Sequence, residues 1–317
     1  MVKKESFYYE SRSQNQKVHA MKWIPFGEVK AVIIIAHGMA EYIERYDAFA
    51  THLAERGILV AGCDYIGHGK SVVGQELYGY FCSRDAATVI IRDVHRLKKM
   101  VQEEYPGIPY IVMGHSFGSF VIRNYLCRYG TGVDGAILMA TGMPPKALIS
   151  ISRHLANMQA LFFGADKPGK FLNNMAFGGY NKKIKNASSA FSWLSFNTEN
   201  VEKYDADPLC GFLFTINGFQ TLSEMIYRLH KPKNLANIPA KLPILMMAGL
   251  EDPVGDYGEG VRRARRSLAK AGVREIRTHL YPWGRHEILH EDEKEEAYRD
   301  IIDWLNDKID LGADNGS

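Results

Sequence analysis

Cysteine is scarce in this sequence. Cys63, Cys82, Cys127 and Cys210 are scattered over 317 residues, with no C-x-x-C pair and no spacing that would build a metal site. A chain this long can bury a large core without covalent staples, so the four are expected to be free thiols in a reducing compartment. Long apolar runs are also missing. The longest, Ala31 to Ala36, is far too short to span a bilayer, and the basic start Met1-Val2-Lys3-Lys4 has no apolar stretch behind it to make a signal peptide. A cytoplasmic location follows as the default. Nor does one charge dominate: 39 basic against 36 acidic residues leave +3, which gives no case for nucleic acid as a partner. Internal repeats and low-complexity tracts are absent, and only 312–317 read as disordered. What is present, 46% hydrophobic and 24% charged residues, is ordinary for a soluble globular protein.

Periodicity then organises the chain. Residues 6–10 and 17–24 predict two strands joined by a polar turn. Residues 29–36, 58–63, 135–139 and 243–248 are apolar runs of the kind buried on both faces of a parallel sheet. Helical patterns lie over 46–56, 86–105, 116–129, 258–271 and 291–305, and a further strand over 275–281. Strand and helix alternate, which calls for an α/β fold with a doubly wound, mostly parallel sheet. The alternation stops at Pro144-Pro145 and resumes near 238. Residues 1–143 and 238–317 are therefore expected to form two parts of one core, with 144–237 an inserted, mainly helical cap.

One stretch carries the chemistry. Tyr110-Ile111-Val112-Met113 runs as a strand into Gly114-His115-Ser116-Phe117-Gly118, and a helical pattern follows. This G-x-S-x-G sits in the strand–turn–helix context that it requires. The serine must occupy a sharp, strained turn, and side chains at the flanking positions would collide with nearby backbone. A serine hydroxyl is a poor nucleophile until a base takes its proton and a third group holds that base. Such partners belong in loops just after strands. Of the 11 histidines, His286 fits best, in the loop after the last strand. The acid belongs to the loop after the strand ending near Gly249, where Asp252, restrained by Pro253, is preferred to its neighbour Glu251, with Asp256 in reserve. His290 reads as a surface residue. The backbone N–H groups of Met39 and Phe117 are the expected oxyanion hole, since His37-Gly38-Met39 follows a buried strand.

The segment 144–237 is rich in Phe. Phe162, Phe163, Phe177, Trp193 and Phe214 are candidates for the wall of a greasy tunnel suited to an acyl chain. Gly178-Gly179 and Asn217-Gly218 are candidate turns or hinges. Arg262, Arg263, Arg265 and Arg266 read as a solvated helix face, and Lys182, Lys183 and Lys185 as a contact for an anionic lipid surface.

Taken together, His37-Gly38-Met39-Ala40-Glu41 with Glu44-Arg45-Tyr46, Asp64 with Gly67-His68-Gly69-Lys70-Ser71, Gly114-His115-Ser116-Phe117-Gly118, Glu251-Asp252-Pro253-Val254 and Gly284-Arg285-His286-Glu287 resemble the serine hydrolases of the α/β-hydrolase fold. Within them the likeness is to the monoacylglycerol lipase and lysophospholipase-like group. The motifs span 29–290 in the family's order, with Tyr42 where many members carry histidine. The resemblance implies hydrolysis of lipophilic esters through an acyl-serine, with no cofactor and no metal. Acyl transfer by the same triad and hydrolysis of small non-lipid esters are the alternatives. Head group, acyl length and oligomeric state are not legible.

Overall fold

The computed structural model describes residues 2–13, 16–72 and 78–309, so the segment 312–317 lies outside the described residues. Two strands open the chain, β1 (Lys3–Glu10) and β2 (Lys17–Ile24), paired antiparallel from Lys3↔Ile24 to Glu10↔Lys17. β3 (Ala31–Ala36), α1 (Asp47–Ala54), β4 (Ile58–Cys63), α2 (Ala86–Glu104), β5 (Tyr110–His115), α3 (Phe117–Tyr129) and β6 (Gly135–Met139) follow in alternation. The chain then forms α4 (Lys146–Phe163), α5 (Lys170–Phe177), α6 (Thr198–Ala206), α7 (Ile216–Leu229) and α8 (Pro232–Leu235). β7 (Ile244–Gly249), α9 (Glu259–Lys270), β8 (Ile276–Tyr281) and α10 (Lys294–Lys308) complete it.

The eight strands of the described residues make one sheet, in the order β1-β2-β4-β3-β5-β6-β7-β8, parallel from β4 onward. β3 to β7 are buried along their whole length because both faces are covered. Val32, Ile34 and Leu59 face the layer of α2, α3 and α9, while Ile33, Ile35 and Ile111 face α1 and α10. This period of two explains the unbroken apolar runs. The strand order reverses between β3 and β5, and at such a switch point the carboxyl ends of the strands open a crevice. Residues 37–41 and Ser116 leave the sheet there.

Several boundaries differ from the sequence reading, each for a local reason. β1 begins at Lys3 because its whole length finds partners on β2. β3 begins at Ala31, since Lys30 turns its N–H to the Gly57 carbonyl at the approach of the α1–β4 connection. α10 begins at Lys294 rather than at residue 291, because the Glu291 carboxylate holds the amide of Arg285 in the preceding loop and that of Phe196 in the inserted segment. Asn217-Gly218 is no hinge. It lies in the first turn of α7, where Asn217 takes the Phe81 N–H and donates to the Cys82 carbonyl, clamping α7 to the core. Among the described residues, no helix is long and apolar enough to cross a membrane.

Candidate active site

Ser116 stands between β5 and α3 with φ 51° and ψ −118°, a conformation that an L-residue adopts only under constraint. The constraint is visible. A Cβ on Gly114 would strike the Gly118 carbonyl, and a Cβ on Gly118 would strike the carbonyl of Ala36, so α3 can start this close to the end of β3 only with glycine at both positions. The Ser116 N–H is held by the Met139 carbonyl (3.0 Å), and its own carbonyl accepts from Ser119 Oγ (2.6 Å). Phe117 is the first residue of α3, so its amide has no acceptor within the helix. On the facing loop the Gly38 amide is taken by the Glu41 carboxylate, which makes that of Met39 the next amide along.

The acid and the histidine come together because the loops after β7 and β8 touch. A Cβ on Gly249 would collide with the Gly284 and Arg285 carbonyls, and Glu251 N–H bonds the Gly284 carbonyl (3.1 Å). Asp252 Oδ1 then accepts from His286 Nδ1 (3.0 Å) and from the Val254 amide (2.8 Å), with both side chains buried. That fixes the ring and leaves Nε2 for the cavity that His286 shares with Ser116. Glu251 is exposed, and Asp256 is engaged by Arg263 (2.8 Å), so neither serves His286.

The cavity measures about 460 Å³, and Ser116, Phe117, Met39 and His286 all line it. Of the aromatic residues expected in its wall, Phe177 and Trp193 are there, with Trp193 laid against the His286 ring (5.0 Å between centroids). Three are not. Phe162 and Phe163 end α4 on its outer face and are exposed, while Phe214 is fully buried behind the wall against Phe81 and Phe117. Phe120, Ile149, Phe219 and Ile226 take their place. The cation clusters are also partly used: Arg263 donates to the Met143 carbonyl (2.9 Å) and is half-buried, and Lys183 sits over the Tyr257 ring. Among the described residues no cluster of side chains could hold a metal ion.

The sequence profile of the serine aminopeptidase family S33 matches residues 27–293. The chain belongs to that family. A monoglyceride lipase of Rattus norvegicus is 24% identical over 312 residues, covering 94% of this chain and 89% of that protein. A monoacylglycerol lipase of Mycolicibacterium smegmatis is 25% identical over 290 residues, covering 89% and 90%. Among solved structures, a thermostable carboxyl esterase from Bacillus coagulans superposes with a TM-score of 0.87 at 27% identity, covering 97% of this chain and 99% of that one. A monoglyceride lipase variant from Saccharomyces cerevisiae gives 0.77 at 20% identity, covering 96% of each, and shows the fold. The α/β-hydrolase fold and the reaction class, hydrolysis of carboxylic esters, agree with the sequence reading.

This member of the S33 family also carries a buried charge network that the sequence did not announce as such. Arg45 reaches Glu41 Oε2 (2.7 Å) and both oxygens of Glu287 (2.5 and 2.9 Å). Glu41 Oε1 accepts from Tyr46 OH (2.9 Å) and faces His115 Nδ1 (3.2 Å), whose Nε2 meets the His286 carbonyl (3.1 Å). His290, expected at the surface, is half-buried with Nε2 on the Arg45 carbonyl (3.1 Å). Burial alone would raise the Glu287 carboxyl, but the charge and hydrogen bonds of Arg45 prevail and hold it at about 2, below its ordinary 4.5. Burial would lower His115, yet its bond to Glu41 raises it above 6.5. The signs set the pH window. Glu287 adds stability that is complete above about pH 4.5 and lost as pH falls towards 2. His115 adds stability that is complete below 6.5 and lost as pH rises through its raised value. Urea unfolding of wild type and Glu287→Gln across this range is expected to give a stability difference that is level above pH 4.5 and shrinks on acidification.

Proposed function

We propose that residues 144–237 form a cap over the cavity and that the protein hydrolyses lipophilic carboxylic monoesters of the monoacylglycerol type through an acyl-Ser116 intermediate. The observation that carries this reading is the opening of Ser116 and His286 onto one cavity with mostly apolar walls. In the proposed mechanism His286 takes the Ser116 proton as Oγ attacks the ester carbonyl. Asp252 keeps the ring in the required tautomer and stabilises the imidazolium, and the amides of Met39 and Phe117 receive the oxyanion. His286 then returns the proton to the departing alcohol, and a water activated by the same base releases the acid. Peptide amines are disfavoured as substrates because the carboxylates at the cavity are already engaged, Glu41 and Glu287 by Arg45 and Asp256 by Arg263.

Hydrolysis rates over a series of monoacylglycerols and aryl esters test the reading. Turnover rising with acyl length supports it, activity confined to short esters redirects it to small polar substrates, and transfer to added alcohol in preference to water makes the protein an acyltransferase. The compartment proposed is the cytoplasm, supported by four cysteines that are all unpaired.

The cap also supports contact with a lipid surface. Leu161, Phe162 and Phe163 are 77, 69 and 66% exposed at the end of α4, with Leu148 and Ile151 exposed on the same helix and Phe171 on α5. Such a patch is larger than isolated surface apolar residues require. Replacing Leu161 and Phe162 together by serine is expected to leave turnover of a soluble aryl ester unchanged and to lower that of vesicle-borne monoacylglycerol at least ~10-fold, given about 1.5–3 kcal/mol for each large side chain withheld from lipid.

A further inference from the structure

Among the described residues, the inserted segment is hydrogen-bonded to the oxyanion loop and the His286 loop through its second half, while its first half reaches the Asp252 loop where Lys183 sits over the Tyr257 ring. Tyr204 OH (2.8 Å) and the Gly211 N–H (3.0 Å) both donate to the carbonyl of Ala40, the residue after Met39, which is held at φ 51° without being glycine. Tyr42 OH donates to Asp207 (2.7 Å) from the same loop. Gly211 itself has φ 65° and lies against the Phe191 ring, so no larger residue could bring its amide there.

The loop bearing His286 is gripped in the same way. Asn200 Nδ2 donates to Glu287 Oε2 (2.7 Å), and the Glu287 amide donates to the Leu194 carbonyl (2.8 Å). Arg285 Nη1 donates to the carbonyls of Ser192 (2.8 Å) and Ser195 (2.9 Å). Arg45 lies between the two loops, over the Tyr204 ring and within reach of the Asn200 amide oxygen (3.3 Å). By contrast, among the described residues no hydrogen bond joins α4 or α5 to either catalytic loop. The polar ties of α4 run to the neighbouring α7, where Arg153 donates to Glu224 (2.5 Å) and Asn157 accepts from Gln220 (2.8 Å).

We infer that the inserted segment divides its labour: 192–211 is a fixed buttress in which Tyr204 and Asn200 are positioning residues for the oxyanion loop and the His286 loop, while α4 and α5, which grip neither loop, cover and admit substrate. The inference rests on the proposed serine-esterase site. Charged groups enter it as geometry, since Arg45, Glu41 and Glu287 form the joint that the two neutral side chains of the buttress complete. Tyr204 borders the cavity, but its hydroxyl is spent on the Ala40 carbonyl, and Asn200 lies outside the cavity wall, so loss of the hydroxyl or of the amide reaches the turnover of a small ester through the loops that they hold.

The test is the rate at which a small fluorophosphonate labels Ser116, measured with kcat and KM for a short aryl ester. In folded Tyr204→Phe and Asn200→Ala, labelling and kcat are expected to fall by about 10- to 100-fold at unchanged KM, as sub-ångström to 1 Å misplacement of reacting groups does. Arg153→Ala, which frees α4 from Glu224 and lies outside the cavity wall, is expected to move neither. Labelling within twofold of wild type in the folded variants, or a loss confined to melting temperature, overturns the inference. Tyr204→Phe keeps the ring and its stack on Arg45, so it decides the matter if Asn200→Ala is too unstable to measure. A folded wild type that the probe does not label would instead bring down the esterase site itself, and this inference with it.

Discussion

Ser116→Ala is expected to lower kcat for ester hydrolysis by about 10⁴–10⁶-fold while leaving the fold intact. The residue's strained backbone is imposed by Gly114, Gly118 and the Met139 carbonyl, none of which alanine disturbs. His286→Ala should cost about as much, because nucleophile and base act as a unit. Asp252→Asn should cost about 10⁴-fold. The asparagine amide would present an N–H to His286 Nδ1 where an acceptor stands now, and would so favour the wrong tautomer. Steady-state kinetics on one aryl ester with matched circular-dichroism spectra check all three. Any of the variants retaining more than about a hundredth of wild-type turnover would move the chemistry away from these residues.

Arg45→Met carries the largest expected cost to stability, about 3–5 kcal/mol, because it leaves Glu287 buried without a countercharge and Glu41 with His115 alone. Arg45 is almost wholly enclosed, with a side chain 9% exposed, so solvent cannot take over its role. Combining it with Glu287→Gln removes the orphaned charge and is expected to recover part of the loss. A double-mutant cycle in urea reads that coupling directly. Additivity of the two substitutions would mean that the ion pair holds nothing together.

Sequence periodicity placed the sheet well because β3 to β7 are buried on both faces, and burial of that kind writes a continuous apolar run. The proposed triad of Ser116, Asp252 and His286 stood out in the sequence for a different reason. Each member sits in a loop whose neighbours are constrained: Gly114 and Gly118 around Ser116, Pro253 beside Asp252, and Gly284 just before His286. Composition could not say which way an aromatic residue points, however. Phe162 and Phe163 lie on the solvent side of α4 and Phe214 behind the wall, whereas the equally unremarkable Phe120 and Ile226 face the cavity. The Arg45 network was invisible as a network because its members are spread from Glu41 to His290, and only the approach of loops distant in sequence makes them neighbours.

The adjacency of β6 and β7 has a consequence for synthesis on the ribosome. Ala136 pairs with Ile244, so the central sheet has to wait for roughly 100 intervening residues before its sixth strand is covered on the open side. At ~5–20 residues per second that wait is on the order of 10 s. Throughout it the nascent chain presents Gly135–Met139, an apolar strand with a free hydrogen-bonding edge, to whatever lies nearby. Emergence of residues 140–243 is thus the interval in which this strand edge stands open, and slower translation across it is expected to lengthen the exposure to misassembly.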